Sequence, residues 1–155
     1  FQLLSAVIEV NELQKRRVIG KLQKHLGSLR NKKIALLGLA FKAGTDDMRE
    51  ASSLVLSARL IAEGSKVRAW DPAAFEVAQK TLDRIEVFED PLEALTGVDA
   101  AVVVTEWPEI RDLPLEEIKK RMKTPVIIDG RNFLDPSLMQ ETGFIYEGIG
   151  RKVTK

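Results

Sequence analysis

Three stretches of this chain are apolar almost without a break: Ile34-Ala35-Leu36-Leu37-Gly38, Ala100-Ala101-Val102-Val103-Val104 and Val126-Ile127-Ile128-Asp129. Runs of that kind suit strands covered on both faces, which is the condition of a parallel sheet. Lys66-Val67-Arg68-Ala69-Trp70 and Ile85-Glu86-Val87-Phe88 are two further strand candidates, and Phe144-Ile145-Tyr146 is a shorter sixth. Helical segments fill the gaps between them. Strands alternating with helices predict an α/β fold, a Rossmann-like doubly wound and mainly parallel sheet of about six strands.

Several helices announce their starts. Asp71-Pro72, Asp90-Pro91 and Asp135-Pro136 each place a capping acceptor before a proline suited to the first helical position, and Glu93 stands where a capping box with Asp90 needs it. Ahead of the sheet, Leu3, Leu4, Val7, Ile8, Leu13, Val18, Leu22 and Leu26 recur at mostly helical intervals up to Gly27. These residues predict one long amphipathic helix over residues 1–28, followed by a single domain over 29–155. Within that helix Lys15-Arg16-Arg17 reads as a solvated face, and Arg151-Lys152-Val153-Thr154-Lys155 reads as a frayed tail. The first residue is Phe1 rather than Met, and the apolar run Phe1–Ile8 has no basic leader or cleavage site. It reads as a helix cut part-way, so the chain is expected to be a piece of a longer protein.

Composition removes whole classes of chemistry. The 155 residues include no cysteine and one histidine, His25, so thiolate metal sites, a cysteine nucleophile and a serine–histidine relay lack raw material. No metal site is expected. A net charge of +1 argues against a nucleic-acid partner, and no stretch approaches the length of a membrane span.

Ligands of doubly wound sheets sit beyond the carboxyl ends of the strands. The segment after the first strand, Gly38 to Ser53, is therefore the expected site. As a dinucleotide fingerprint it is degenerate: Gly38 and Ala40 hold the first two small positions, but a long insertion separates them from the next helix. That insertion gathers Lys42, Asp46, Asp47, Arg49 and Glu50, and its two cations suit phosphate oxygens. At the other strand ends, Asp71 is either a helix cap or a ribose contact. Trp107, in Thr105-Glu106-Trp107-Pro108, is either packing or a base platform. Arg131, after Asp129-Gly130, is either a surface ion pair or a cation that swings over a phosphate or stacks on a base.

Taken together, Gly38-Leu39-Ala40-Phe41-Lys42-Ala43-Gly44-Thr45-Asp46-Asp47-Met48-Arg49-Glu50-Ala51-Ser52-Ser53, Trp70-Asp71-Pro72, Val104-Thr105-Glu106-Trp107 and Ile128-Asp129-Gly130-Arg131 strongly resemble the C-terminal UDP-binding domain of UDP-glucose 6-dehydrogenases. Val7 to Arg17 resembles the end of that family's long central helix, and Ile149-Gly150-Arg151 its closing segment. The resemblance implies an enzyme in three parts: a domain binding NAD, a central helical region carrying a catalytic cysteine and the dimer contact, and this UDP-binding part. It implies oxidation of the C6 alcohol of UDP-glucose to UDP-glucuronate, in the cytoplasm, by a homodimer. No catalytic residue is expected here, and the fragment alone is expected to be inactive. By motif, Phe41, Lys42 and Arg131 match family contacts to the UDP-sugar, and Arg49 matches an arginine that reaches the NAD pyrophosphate. Ala43 and Ser52 stand where the family often has proline.

GDP-mannose and UDP-N-acetylmannosamine dehydrogenases share the same loop, while Thr105-Glu106-Trp107 and Asp129-Gly130-Arg131 favour the UDP-glucose branch. Two other readings stand beside it: a non-catalytic nucleotide-binding regulatory module, and an assembly domain that dimerises through residues 1–26.

Overall fold

The computed structural model describes residues 1–154, apart from the side chains of residues 10–15. Leu13 of the expected apolar stripe, Lys15 of the basic triplet and Lys155 of the tail therefore lie outside the described residues. A long helix, α1 (Gln2–Leu26), leads into β1 (Lys33–Leu37), α2 (Ser52–Ala62), β2 (Lys66–Trp70), α3 (Phe75–Thr81), β3 (Ile85–Phe88), α4 (Pro91–Leu95) and β4 (Ala100–Val103). A 3-10 turn (Pro108–Ile110), α5 (Leu115–Arg121), β5 (Val126–Asp129), α6 (Pro136–Thr142) and β6 (Ile145–Gly148) complete the chain.

All six strands run parallel in the order β3-β2-β1-β4-β5-β6. Connections leave β1 towards one edge of the sheet and β4 towards the other, so the switch point lies between these two strands, at their carboxyl ends. The three apolar runs form the sheet's centre. Ile34, Leu36, Val102 and Ile128 have no solvent exposure, as strands covered by helices on both faces require.

Two of the three Asp-Pro starts are helix caps. Asp90 Oδ1 accepts from Leu92 N and Asp135 Oδ1 from Ser137 N, each at 2.9 Å, with proline leading each helix. Among the described residues the Glu93 side chain makes no return bond to Asp90, so the capping box is not completed. At Asp71-Pro72 the expectation fails. Helix α3 starts only at Phe75, behind Ala74; the Asp71 carboxylate holds the intervening Ala73–Ala74 turn with one oxygen and reaches back to the strand ends with the other. The tail is also tied: Thr154 and Tyr146 exchange backbone hydrogen bonds at 2.9 and 3.0 Å as an antiparallel bridge.

The sixth strand extends beyond the apolar stretch that marks it in the sequence, because it carries a buried acid. Glu147, 4% exposed, accepts from Lys21 at 2.8 Å and meets His25 at 2.7 Å and Lys24 at 3.4 Å, all three from α1. Burial opposes its charge, but the hydrogen bonds from Lys21 and His25 and the fields of Lys21 and Lys24 prevail, and its pKa is lowered. This cluster, with buried Val18, Ile19 and Leu22, attaches the second half of α1 to the domain. Its first half leaves Phe1, Leu3, Leu4, Val7 and Ile8 bare.

A depressed carboxyl pKa adds stability that is present above the unfolded-state value of 4.5 and is lost as pH falls through the folded-state value. Glu147→Gln is therefore expected to cost about 2 kcal/mol at pH 7, the range for hydrogen bonds to charged groups. Urea unfolding at pH 7 and below pH 4 checks this: the gap between wild type and variant closes as the solution is acidified.

Candidate functional site

The site forms where β1 and β4 diverge, and its walls are set by two buried aspartates. Asp71, at the end of β2, is 2% exposed. Its Oδ2 accepts from Leu39 N (2.7 Å), Ala40 N (2.9 Å) and the Trp107 indole Nε1 (2.9 Å), and its Oδ1 from Ala73 N and Ala74 N at 2.9 Å. A carboxylate offers about four lone-pair sites. Asp71 is thus fully engaged within the protein and holds no place for a ribose hydroxyl. Trp107, 7% exposed, is packing rather than an open base platform.

Gly38 makes the approach of the two loops possible. Its φ is 90°, and a Cβ there would sit 2.5 Å from Thr105 Cβ. Thr105 Oγ1 donates to Ala40 O at 2.7 Å and Ser53 Oγ to Leu39 O at 2.6 Å, pinning the segment between β1 and α2 from two further sides. Beyond Ala40 the loop turns outward. Phe41 N donates to Asp47 O at 2.7 Å, and Met48 is buried as the anchor of the return. The Phe41 side chain is left 55% exposed on the cleft.

Asp129, at the end of β5 and wholly buried, organises the opposite wall. Its Oδ1 accepts from Arg131 N (3.0 Å), and its Oδ2 from Phe133 N and Leu134 N (2.8 Å each) and from the Tyr146 hydroxyl (2.7 Å). Burial, followed by the hydrogen bond to Asp129, pushes the Tyr146 pKa far up, so the phenol stays a donor. Gly130 packs so closely on β4 that a Cβ would lie 2.9 Å from Val103 O, with Val18 of α1 just beyond at 3.8 Å.

Between these walls opens a cleft of about 880 Å³, within the size range of small-molecule sites. Phe41 and Arg131 both line it. Arg131 is ion-paired with Glu106 from the end of β4, its Nη2 lying 3.0 Å from Oε1. The hydrogen bond from Arg131 lowers the Glu106 pKa and raises that of Arg131. Lys42 and Arg49 lie on the exposed side of the loop, outside the lining of the cleft. Arg49 is held by Asp47 at 2.8 Å, and its hydrogen bonds bring the Asp47 carboxyl down to about 2. Among the described residues no group of three acids or histidines is placed to bind a metal, and no helix is long and apolar enough to cross a membrane.

Glu106 and Arg111 are among the lining residues that have no counterpart among the expected site residues. Glu106 carries a signal as part of the Thr105-Glu106-Trp107 strand end. Arg111 does not: its partner Phe133 is remote in sequence, and only folding brings the guanidinium to 3.8 Å from that ring's centroid.

Residues 35–136 match the family model described as the UDP-glucose/GDP-mannose dehydrogenase family, UDP binding domain. The chain belongs to this family. It is similar to the UDP-glucose 6-dehydrogenase TuaD of Bacillus subtilis, 40% identical over 156 residues, covering 100% of this chain and 34% of TuaD. In three dimensions it matches a UDP-glucose dehydrogenase from the hyperthermophilic archaeon Pyrobaculum islandicum (TM-score 0.79, 32% identity, 96% of this chain, 32% of that one). It also matches a UDP-D-ManNAc dehydrogenase from Pyrococcus horikoshii (TM-score 0.68, 32% identity, 86% of this chain, 29% of that one). The chain spans about a third of the length of the curated relatives it matches. The matched stretch runs from β1 to the first residue of α6 and contains both aspartates, the long loop and Arg131.

Asp71→Asn is expected to destabilise the fold by about 3 kcal/mol, because an amide turns donors towards buried N–H groups that have no other acceptor. Urea unfolding measures the loss. Amide exchange accelerated at Leu39 and Ala40 beyond the rest of the sheet locates it.

Proposed function

We propose that this chain is the C-terminal, UDP-sugar-binding portion of an NAD-dependent UDP-glucose 6-dehydrogenase, which converts UDP-glucose to UDP-glucuronate in the cytoplasm as a homodimer. In this reading residues 1–28 are the end of the central helix and 29–155 the nucleotide-sugar domain. One observation carries it: a cleft at the switch point of a family domain, with Phe41 and Arg131 brought to it from opposite walls. Phe41 supplies an apolar face, and the Arg131–Glu106 pair supplies donors and acceptors for the hydroxyls or phosphates of the ligand. Lys42 approaches the ligand from the rim as a point charge.

The contribution of this domain to catalysis is positioning. Binding energy from the nucleotide, remote from the reacting carbon, holds the sugar for chemistry that occurs elsewhere in the full protein. The chain has no cysteine to carry that chemistry, so no oxidation of UDP-glucose by the purified 155 residues is expected. NAD, when bound by the full enzyme, supplies the hydride acceptor. On this chain Arg49 fits its pyrophosphate, since its side chain is 89% exposed and a phosphate can share the guanidinium with Asp47.

The second reading, the corresponding domain of a GDP-mannose or UDP-N-acetylmannosamine dehydrogenase, is favoured by the fold shared with the Pyrococcus horikoshii protein. Calorimetric titration with UDP, and GDP as control, separates the GDP-mannose branch from the two UDP branches. UDP is expected to bind in preference to GDP, and Arg131→Ala and Lys42→Ala to weaken it, the former by about tenfold for a loss near 1.4 kcal/mol. A preference for GDP would move the chain to the mannose branch. UDP binding indifferent to both changes would remove these residues from the site.

A further inference from the structure

The cleft's cations are not equivalent. Arg131 already faces a carboxylate, Glu106, across a two-bond ion pair. Arg111 faces none. Its Nε and Nη2 donate to the carbonyl oxygen of Phe133 at 3.1 and 2.8 Å, and its plane stacks on the Phe133 ring at 3.8 Å. A neutral carbonyl fixes the guanidinium without cancelling its charge, and the stack removes the rotational freedom that an exposed arginine otherwise loses on binding. Of its five N–H groups, those not given to Phe133 remain available in the guanidinium plane.

The wall behind Arg111 is rigid for an independent reason. Phe133 N is one of the groups held by Asp129, so the ring and carbonyl that orient Arg111 are set by the same buried carboxylate that shapes the Arg131 turn. An anion entering the cleft, which Glu50 also lines, meets one cation ion-paired to Glu106 and another, pre-oriented, that has no ion-pair partner among the described residues. At Arg131 a phosphate would have to displace or share Glu106.

We infer that Arg111 is a phosphate-binding residue of this cleft, receiving the diphosphate of the nucleotide, while the Arg131–Glu106 pair meets the uncharged hydroxyls of the ligand. The inference rests on the nucleotide-sugar reading of the cleft and adds to it the residue that takes the charge.

The test follows the arginine Nε–H signals of the full 155-residue chain by NMR, assigned with Arg111→Gln and Arg131→Gln, during titration with UDP, uridine and inorganic pyrophosphate. UDP is expected to move the Arg111 signal, and Arg111→Gln to weaken UDP about tenfold while changing uridine binding less than twofold. Arg111→Lys, which keeps the charge but loses the fork and the stack, is expected to recover only part of the loss. An Arg111 signal unmoved by saturating UDP, or equal losses for UDP and uridine in Arg111→Gln, overturns the inference and leaves the nucleotide reading standing. Pyrophosphate moving the Arg111 signal in a chain that does not bind UDP upholds the anion site and overturns the nucleotide reading. If UDP does not bind at all and pyrophosphate leaves the Arg111 signal unmoved, both fall.

Discussion

The Asp71 carboxylate is the point on which one side of the cleft depends. A buried carboxylate is costly unless its lone pairs are filled, and here they are filled by donors from three separate segments: the start of the loop after β1, the turn before α3, and the indole of Trp107. Each segment gains order because the charge must be satisfied. Asp129 repeats the device at the end of β5, gathering the Arg131–Leu134 turn and the Tyr146 hydroxyl. Neither acid is free to meet a ligand. Together they convert the ends of parallel strands into two fixed walls and leave other side chains carried on those walls open to the cleft.

A division of labour among charges follows from that arrangement. Carboxylates with saturated lone pairs build the frame, and Glu147 does the same for the leading helix through Lys21, Lys24 and His25. Val18 of that helix also borders the cleft. The helix is therefore part of the cleft wall as well as the path by which the chain enters the domain. The groups left at the cleft surface include Phe41, Glu50, the Arg131–Glu106 pair and the stacked Arg111.

Much of this was legible in the sequence because it depends on local chemistry. The apolar runs around Leu36, Val102 and Ile128 mark buried parallel strands through burial alone, and Asp90-Pro91 and Asp135-Pro136 mark helix starts because cap and proline are adjacent. What could not be read depends on contacts between distant residues. Asp71 has the same local signature as the two true caps, yet Leu39, Ala40 and Trp107 claim its carboxylate only once β1 and β4 lie side by side. The end of β6 was hidden because Glu147 looks unsuited to a buried strand until α1 supplies its counter-charges. Phe41 and Arg131 could be located by motif, and both line the cleft, whereas Lys42 and Arg49 fall outside the lining because the loop turns back at Phe41 and Asp47. Nothing local distinguishes Arg111 from an ordinary surface arginine.

The most direct measurement is a crystal structure of the chain with UDP. The account predicts the nucleotide in the cleft between Phe41 and Arg131, with the Asp71 and Asp129 hydrogen bonds unchanged from the ligand-free geometry. Nucleotide bound instead in the hollow beside Asp46 and Glu76 at the ends of β2 and β3, or a cleft whose walls rearrange and release either aspartate, would contradict it.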